Sequence, residues 1–257
     1  MKSKNKKNYP IISIITVVFN NVKHIQKTLN SIYKQKYKNY ELIIIDGGST
    51  DGTLNIIKKN SSKIDRWVSD KDNGIYDAFN KGLKLATGDY VGFVNSDDIL
   101  LPNALSILKK YIIKYPEKDF IFGAVKKHWG TLHGYKPWKI YFSWGFYSSH
   151  STGFFMKLKS AKKVGLYNLK YKFSADYDYF FRMIVKKKMK GVATKRNEVF
   201  GIFRRGGYSS KINFLDHFKE EIQIRRDNGQ SLFILSIIIF YKSIKNIKRI
   251  IKELNQK

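Results

Sequence analysis

Residues 90–100 read YVGFVNSDDIL: an apolar run from Tyr90 to Val94 that stops at Asn95 and is followed by two adjacent carboxylates, Asp97 and Asp98. The chain carries 49 Lys+Arg against 20 Asp+Glu. Like charges side by side repel, so two scarce acids in that position imply a cation beside them. Two earlier stretches end the same way. Ile11–Phe19 is a continuous, largely β-branched run that gives way to Asn20, and Glu41–Ile45 runs into DGGSTDGT. Such runs suit strands covered on both faces. Between them, Val22, Ile25, Leu29, Ile32 and Tyr33 recur at helical spacing, and Leu54, Ile57 and Ile64 continue a second helical pattern. Trp67-Val68 fits a short strand, and Ala78–Leu85 fits a helix closed by Gly88. Alternating strands and helices build βαβ units and a parallel sheet, whose ligands bind beyond the carboxyl ends of the strands. Three polar clusters converge there: Phe19-Asn20, Asp46 to Ser49, and Asn95 to Asp98. Neither GxGxxG nor GxxxxGK[ST] follows any of these strands, which excludes the Rossmann dinucleotide fingerprint and the P-loop.

At 257 residues and 43% hydrophobic, the chain suits one large domain, or one domain with an appendage, around a sizeable core. It contains no cysteine, so disulfides, thiolate metal sites and a Cys nucleophile are excluded. A net charge of +29 calls for a polyanionic neighbourhood: nucleic acid, an anionic membrane surface or phosphorylated substrates. The opening MKSKNKKNYPIISIITVVFN reads as a strand and not a signal peptide, because its apolar run is short and lacks a small-residue cleavage site. No segment reaches the roughly 18 uncharged apolar residues of a spanning helix. Further along, Phe120–Phe122 and Gly153–Met156 fit strands, the latter leading into a helix near Ser160–Val164. Ala175–Val185 fits a helix with Asp176 in its first turn, and the chain from Asp216 onward reads as helical.

The pieces SIITVVFN, ELIIIDGGSTDGT, DNGIYDAFNKGLKLATGDYVGFVNSDD, HSTGFFM, SADYDYFFRM and RRGGYSS together resemble the family 2 glycosyltransferases of the GT-A fold, of the kind that build bacterial surface polysaccharides. The resemblance extends over roughly residues 11–210 and is most specific in its first half. It implies an α/β fold, with a Rossmann-like, mostly parallel sheet flanked by helices in a catalytic domain over 1–215, and a helical tail over 216–257. The implied activity is inverting, hexosyltransferase-type transfer from a nucleotide-sugar donor, UDP-sugar favoured. The implied acceptor is a saccharide or a polyprenyl-linked saccharide, in the biosynthesis of capsule, exopolysaccharide or the O-antigen of lipopolysaccharide. The expected location is the cytoplasm, peripheral on the inner face of the membrane.

By the same resemblance, Val17 and Phe19 lie along the nucleotide, Asp46 accepts from the base's ring N–H, and Gly48 lets the backbone approach. Asp72, Asn73, Gly74, Asp77, Asn80 and Lys81 contact the donor sugar or diphosphate. Asn95 and Ser96 line the nucleotide, Asp98 binds a divalent cation, Mg²⁺ or Mn²⁺, and Asp97 binds either that ion or the ribose. Asn95 stands where the family usually has a further acid. Asp176 matches the general base, with Ala175 where many relatives carry Glu. Asp178, two residues on, falls on another side of the helix. His150, Arg204 and Arg205 are possible acceptor or diphosphate contacts.

Plainer roles fit the same residues. Phe19 suits a core, Asp46 a turn carboxylate, and Asp97 or Asp98 a helix N-cap. Asp77, Asn80 and Lys81 suit a solvated helix face, Asn73-Gly74 a turn, and Asp176 a helix N-terminus. His150 suits a packed structural histidine, and Arg204-Arg205 a basic surface loop. In the tail, Ile244, Ile247, Ile250, Ile251 and Leu254 fall on one side, with Lys242, Lys245, Lys248, Arg249 and Lys252 on the other. Such a helix suits an anionic membrane surface, or packing on the catalytic domain or a second subunit. Two other functions compete. A basic nucleic-acid-binding protein fits the charge but lacks a helix-turn-helix, zinc-finger or RNP motif and leaves the strand-end acids unexplained. A catalytically inactive membrane adaptor is opposed by the presence of Asp46, Asp98 and Asp176.

Overall fold

The structure, a computed structural model, describes residues 9–142, 151–204 and 213–255. The first half alternates β1 (Ile12–Val18), α1 (Ile25–Tyr33), β2 (Tyr40–Asp46), α2 (Thr53–Lys59), β3 (Arg66–Ser69), α3 (Ile75–Leu85) and β4 (Tyr90–Phe93). Then come β5 (Ile99–Leu100), α4 (Ala104–Lys114), β6 (Phe120–Phe122), β7 (Ala124–Lys127), β8 (Gly130–Leu132), β9 (Phe154–Lys157) and α5 (Leu158–Val164). The chain finishes with α6 (Ala175–Phe181), β10 (Gly191–Ala193), β11 (Val199–Ile202), α7 (Phe214–Asp227), α8 (Leu232–Lys245) and α9 (Ile247–Leu254).

Seven strands form one twisted layer in the order β10-β6-β9-β4-β1-β2-β3. Its pairings are parallel except that β9 runs antiparallel to both β4 and β6. β1 is central and wholly buried. Successive residues of a strand face opposite sides, so Ile15 and Val17 join α3 in one core while Ile12, Ile14 and Val18 join α1 and α4 in the other. This is why the run is apolar without alternation. The fold is the expected α/β one.

Two local expectations are corrected and one feature is new. Gly88 does not close α3, which stops at Ala86. A Cβ on Gly88 would sit 2.7 Å from the Ile11 carbonyl, so the glycine is required by close passage over β1. The helix beginning at Ala175 stays α-helical only to Phe181 and then widens into a π turn over Arg182–Lys186. A second, small sheet in the order β5-β11-β7-β8 has no counterpart in the sequence reading.

The C-terminal helices are anchored to the sheet layer. Ile224 of α7 enters the core beside Tyr177 and Phe181 of α6. Arg225 is wholly buried, pairs with Glu221 at 2.7 Å and donates to the Tyr141 carbonyl at 2.6 Å. Lys242 of α8 reaches the same Glu221 at 2.5 Å. Glu253 of α9 accepts from the free N–H groups of Phe214 and Leu215, 3.0 Å each, at the start of α7. Replacing one partner of a buried pair strands the other charge in a dry site. Glu221→Ala should therefore cost about 3–5 kcal/mol in urea unfolding; a loss below about 1 kcal/mol would mean that water reaches Arg225.

Candidate active site

β1, β2 and β4 run parallel, so the loops that follow them leave the same edge of the sheet, and short polar side chains lace them together. Asn20, in left-handed backbone at φ 46°, donates its N–H to Ser49 Oγ (2.8 Å) and accepts from the Thr50 N–H (2.8 Å). Asn21 donates its amide to Ser96 Oγ at 2.8 Å. The three polar clusters are thus one assembly. Phe19 stands at its mouth, 62% exposed, one residue beyond β1, whereas Val17 is buried within the strand.

Asp46 is fully enclosed. Its Oδ1 accepts from Ser49 Oγ at 2.5 Å, and its Oδ2 accepts from the Ser49 N–H at 3.1 Å and from Ser69 Oγ at 2.7 Å. These three bonds hold the turn after β2 shut. Gly48 takes φ +83° in that turn, and a Cβ on Gly47 would lie 2.5 Å from Asp72 Oδ2, so the backbone and the Asp72 carboxylate pass in contact. Burial raises the Asp72 carboxyl above its usual range, with Asp77 and Asp46 adding repulsion and the Gly74 N–H and Lys81 opposing it.

The loop before α3 is self-organised. Asp72 accepts from the Gly74 N–H (2.9 Å), and Asp77 accepts from the Asn73 N–H (3.1 Å). Lys81 lies 3.8 Å from Asp77 and donates to the Lys71 carbonyl at 3.0 Å. Asn80 is corrected outright. It is buried, its amide donating to the Tyr167 carbonyl (2.9 Å) and accepting from the Tyr167 N–H (2.8 Å), on the side of α3 that faces the core.

At the end of β4 the alternation of the chain separates the two acids. Asn95 and Asp97 are partly accessible, whereas Ser96 and Asp98 are buried. Asp98 accepts from the Thr152 hydroxyl and from the Arg204 backbone N–H. Burial pushes its carboxyl up to about 7, Asp97 adding to the rise while those bonds and the charge of Lys127 oppose it. Asp98 is thus enclosed while Asp97 is partly accessible, and the two carboxylates lie with Asn95 at one strand end. Asn95 donates to Ser151 Oγ at 3.1 Å, and its buried Oδ1 has no hydrogen-bond partner among the described residues. Burial raises the Asp97 carboxyl, opposed by the charges of His24 and Arg204, and Arg204 itself bonds His24 Nδ1. The small sheet brings these cations in. Lys127 ends β7, Arg204 lies two residues past β11, and β11 pairs with both β7 and β5. His24 and Lys127 carry no signal in the sequence.

Asp176 opens α6, partly exposed yet ringed by protein. Its Oδ1 lies 3.1 Å from the Tyr76 hydroxyl and 2.9 Å from the Tyr177 N–H. Burial pushes its carboxyl up to about 6, against the pull of these bonds. Tyr76 shares its proton between Asp176 and the Phe173 carbonyl at 3.2 Å. It sits in the first turn of α3, two residues after Gly74, and so ties the Asp72–Gly74 loop to the helix that bears Asp176. Sequence reading passed over it because its partner is 100 residues away. Asp178, by contrast, is buried and engaged by Arg182 (2.8 Å) and Asn228 (2.9 Å). His150 and Arg205 lie outside the described residues. The surface hollows lined by Asp119, Lys163 and Lys188, and by Asp89, Lys157 and Lys162, flank the opposite strand ends and belong to a different face.

An open α/β sheet with acids at the carboxyl ends of β2 and β4, a polar loop after β1 and an acid-led helix beside them fits a glycosyltransferase of the GT-A type. The family described as Glycosyl transferase family 2 matches residues 13–180, and the chain belongs to that family. It is 30% identical over 207 residues to a PGL/p-HBAD biosynthesis glycosyltransferase of Mycobacterium tuberculosis, covering 75% of this chain and 79% of that protein. It is 36% identical over 106 residues to the glycosyltransferase GlyA of Streptococcus pneumoniae, covering 40% of this chain and 15% of that one. Among solved structures, S. aureus TarS 1-349 in complex with UDP superposes with a TM-score of 0.69 at 18% identity, covering 89% of this chain and 70% of that one. The mannosyltransferase PcManGT from Pyrobaculum calidifontis, in complex with GDP-Man and Mn²⁺, gives 0.67 at 15% identity, covering 95% and 72%. At these identities the structural likenesses establish the fold. The chain is an enzyme, a glycosyltransferase.

Because Asp46 satisfies one hydroxyl from each of two elements, Asp46→Ala should lower stability by about 1–3 kcal/mol, read from thermal unfolding. An unchanged melting temperature would show that the turn after β2 does not depend on it.

Proposed function

We propose that this enzyme is an inverting glycosyltransferase that takes a sugar from a nucleoside-diphosphate donor, UDP-sugar favoured. It passes the sugar to a saccharide or lipid-linked saccharide in cell-surface polysaccharide biosynthesis. One observation carries the reading: the Tyr76–Asp176 hydrogen bond joins an acid of raised pKa to the loop that leads into the strand-end assembly. The base of the nucleotide stacks on exposed Phe19, and Gly47-Gly48 admit the backbone close to it. Asp46 receives the ring N–H in exchange for its bonds to Ser49. UDP bound to TarS and GDP-Man bound to PcManGT support a nucleotide-sugar donor here.

A divalent cation fits this site. The Asp97 carboxylate and the unpartnered Oδ1 of Asn95 are hard oxygens of the kind Mg²⁺ and Mn²⁺ prefer. No group of three or more His, Asp or Glu gathers among the described residues, so donor oxygens would share the coordination. When bound, the ion supplies Lewis acidity that stabilises the departing diphosphate. Asp98 and Asp97 are the carboxylates that would hold the ion, and Asp98 also braces the loop through Thr152. Arg204 and Lys127 add positive charge on the same side. Asp176 accepts the proton of the acceptor hydroxyl as its oxygen attacks the anomeric carbon and the nucleoside diphosphate leaves. A carboxyl titrating near 6 is mostly ionised at pH 7 and still basic enough to help. No helix among the described residues is long and apolar enough to cross a membrane. The charge of +29 supports peripheral work on the cytoplasmic side of one.

Asp176→Asn should keep the thermal stabilisation by UDP and Mn²⁺, about 2.7 kcal/mol at 100 times Kd, while kcat falls about 10²–10⁴-fold. Asp97→Ala should lose the manganese-dependent part of that shift. Turnover by Asp176→Asn at wild-type rate would remove it as the base.

The pH dependence has a definite sign. The base works ionised, and its raised pKa places the acidic limb of kcat near pH 6 and not near 4. Tyr76→Phe removes a bond that lowers this pKa, so the limb should move to higher pH. A limb that stays in place in Tyr76→Phe would separate Tyr76 from the titrating group.

A further inference from the structure

The outward side of α8 is apolar, and its inward side holds a charge. Phe233, Ile237, Phe240 and Ile244 recur at i, i+4, i+7 and i+11, one face of a helix, and they are 75%, 52%, 68% and 58% exposed. The opposite face packs Leu235 and Ile238 against the protein and directs Lys242 onto buried Glu221. A surface helix of a water-soluble domain normally has the reverse arrangement. In α9, Ile247, Ile251 and Leu254 continue the exposed apolar surface, with Lys248, Arg249 and Lys252 exposed alongside. Glu253 is the only acid in either helix, and it is tied to the Phe214 and Leu215 N–H groups and to Arg249.

We propose that α8 and α9 form a docking surface for an anionic lipid bilayer. The α8 row sinks below the headgroups, while Lys245, Lys248 and Lys252 lie level with the phosphates. Charge selects this occupant. A second copy of the chain meeting the same patch would bring another row of lysines against the first, in a protein already at +29, whereas anionic headgroups complement both features. The surface found here includes Ile244, Ile247, Ile251 and Leu254 of the stripe legible in the sequence and extends it along α8 to Phe233. The docking helices are joined to α7, which lies against the Asp176 side of the site. Glu220 of α7 accepts from the N–H groups of Lys172 and Phe173 (2.6 and 2.8 Å), just ahead of Asp176, and Arg225 stacks on Tyr177, 5.1 Å from the ring centre. This assignment deepens the peripheral-membrane part of the proposed function and is independent of the donor chemistry.

The test is co-sedimentation of the full chain with phosphatidylcholine vesicles, with and without phosphatidylglycerol, for the wild type, Phe233→Ser/Phe240→Ser and Lys245→Gln/Lys248→Gln/Lys252→Gln. Melting temperature and the UDP thermal shift are read in parallel, and sedimentation velocity is read without lipid. The wild type should bind the anionic vesicles about tenfold or more tightly than the neutral ones. Each multiple variant should lose about tenfold or more of that binding, with melting and the UDP shift unchanged, since these side chains are exposed. Wild-type protein left in the supernatant overturns the proposal. So does vesicle binding by the Phe variant equal to wild type, or a lipid-independent dimer that the Phe substitutions dissociate. Loss of the UDP shift with vesicle binding intact would count against the donor site alone and leave the docking surface standing.

Discussion

The position of β1, paired in parallel with β2 on one side and β4 on the other, is the constraint from which the rest of the site follows. The registers Val18 to Asp46 and Ile15 to Phe93 bring three chain segments off the same sheet edge within hydrogen-bonding reach. Backbone groups leaving a buried sheet need partners, and Asn20, Asn21, Ser49 and Ser96 supply them. The outcome is a rigid polar rim, in which Asp46 and Asp98 act as internal braces while Phe19, Asn95 and Asp97 stay accessible.

Charge is distributed around that rim by a second constraint. Asp97 and Asp98 are acids in a strongly basic chain, and the small sheet sets Lys127 and Arg204 over them. Burial works against the charges of Asp97, Asp98 and Lys127. It raises the carboxyls of Asp97 and Asp98 and lowers the Lys127 ammonium. On the other side, Tyr76 bonds Asp176 and so ties α6 to the start of α3.

The C-terminal helices divide their tasks by face. α7 closes the sheet layer through Ile224 and Arg225, α9 caps α7 through Glu253, and α8 binds inward through Lys242. Two properties that the sequence presents as alternatives, packing on the catalytic layer and offering an apolar basic surface, belong to opposite sides of the same bundle.

The sequence alone determines the α/β class, β1, β2, β4, the helices between them, and the meeting of three polar clusters at one edge. Residues buried on both faces of a parallel strand must be apolar without interruption, and such runs are visible without coordinates. It also locates Asp176 in a first helical turn. Tertiary structure alone decides which of these acids can be reached. Adjacent residues leaving a strand point to opposite sides, so Asp97 and Asp98 are equivalent in the sequence and unlike in space. The turn after β2 encloses Asp46, and Asn80 meets Tyr167 from 87 residues away. The small sheet is built from strands of two to four residues, too short for any periodicity to register. The outward turn of α8 follows from the burial of Leu235 and Ile238 and from the Lys242–Glu221 pair, whose partner lies in another helix and leaves no local pattern to read.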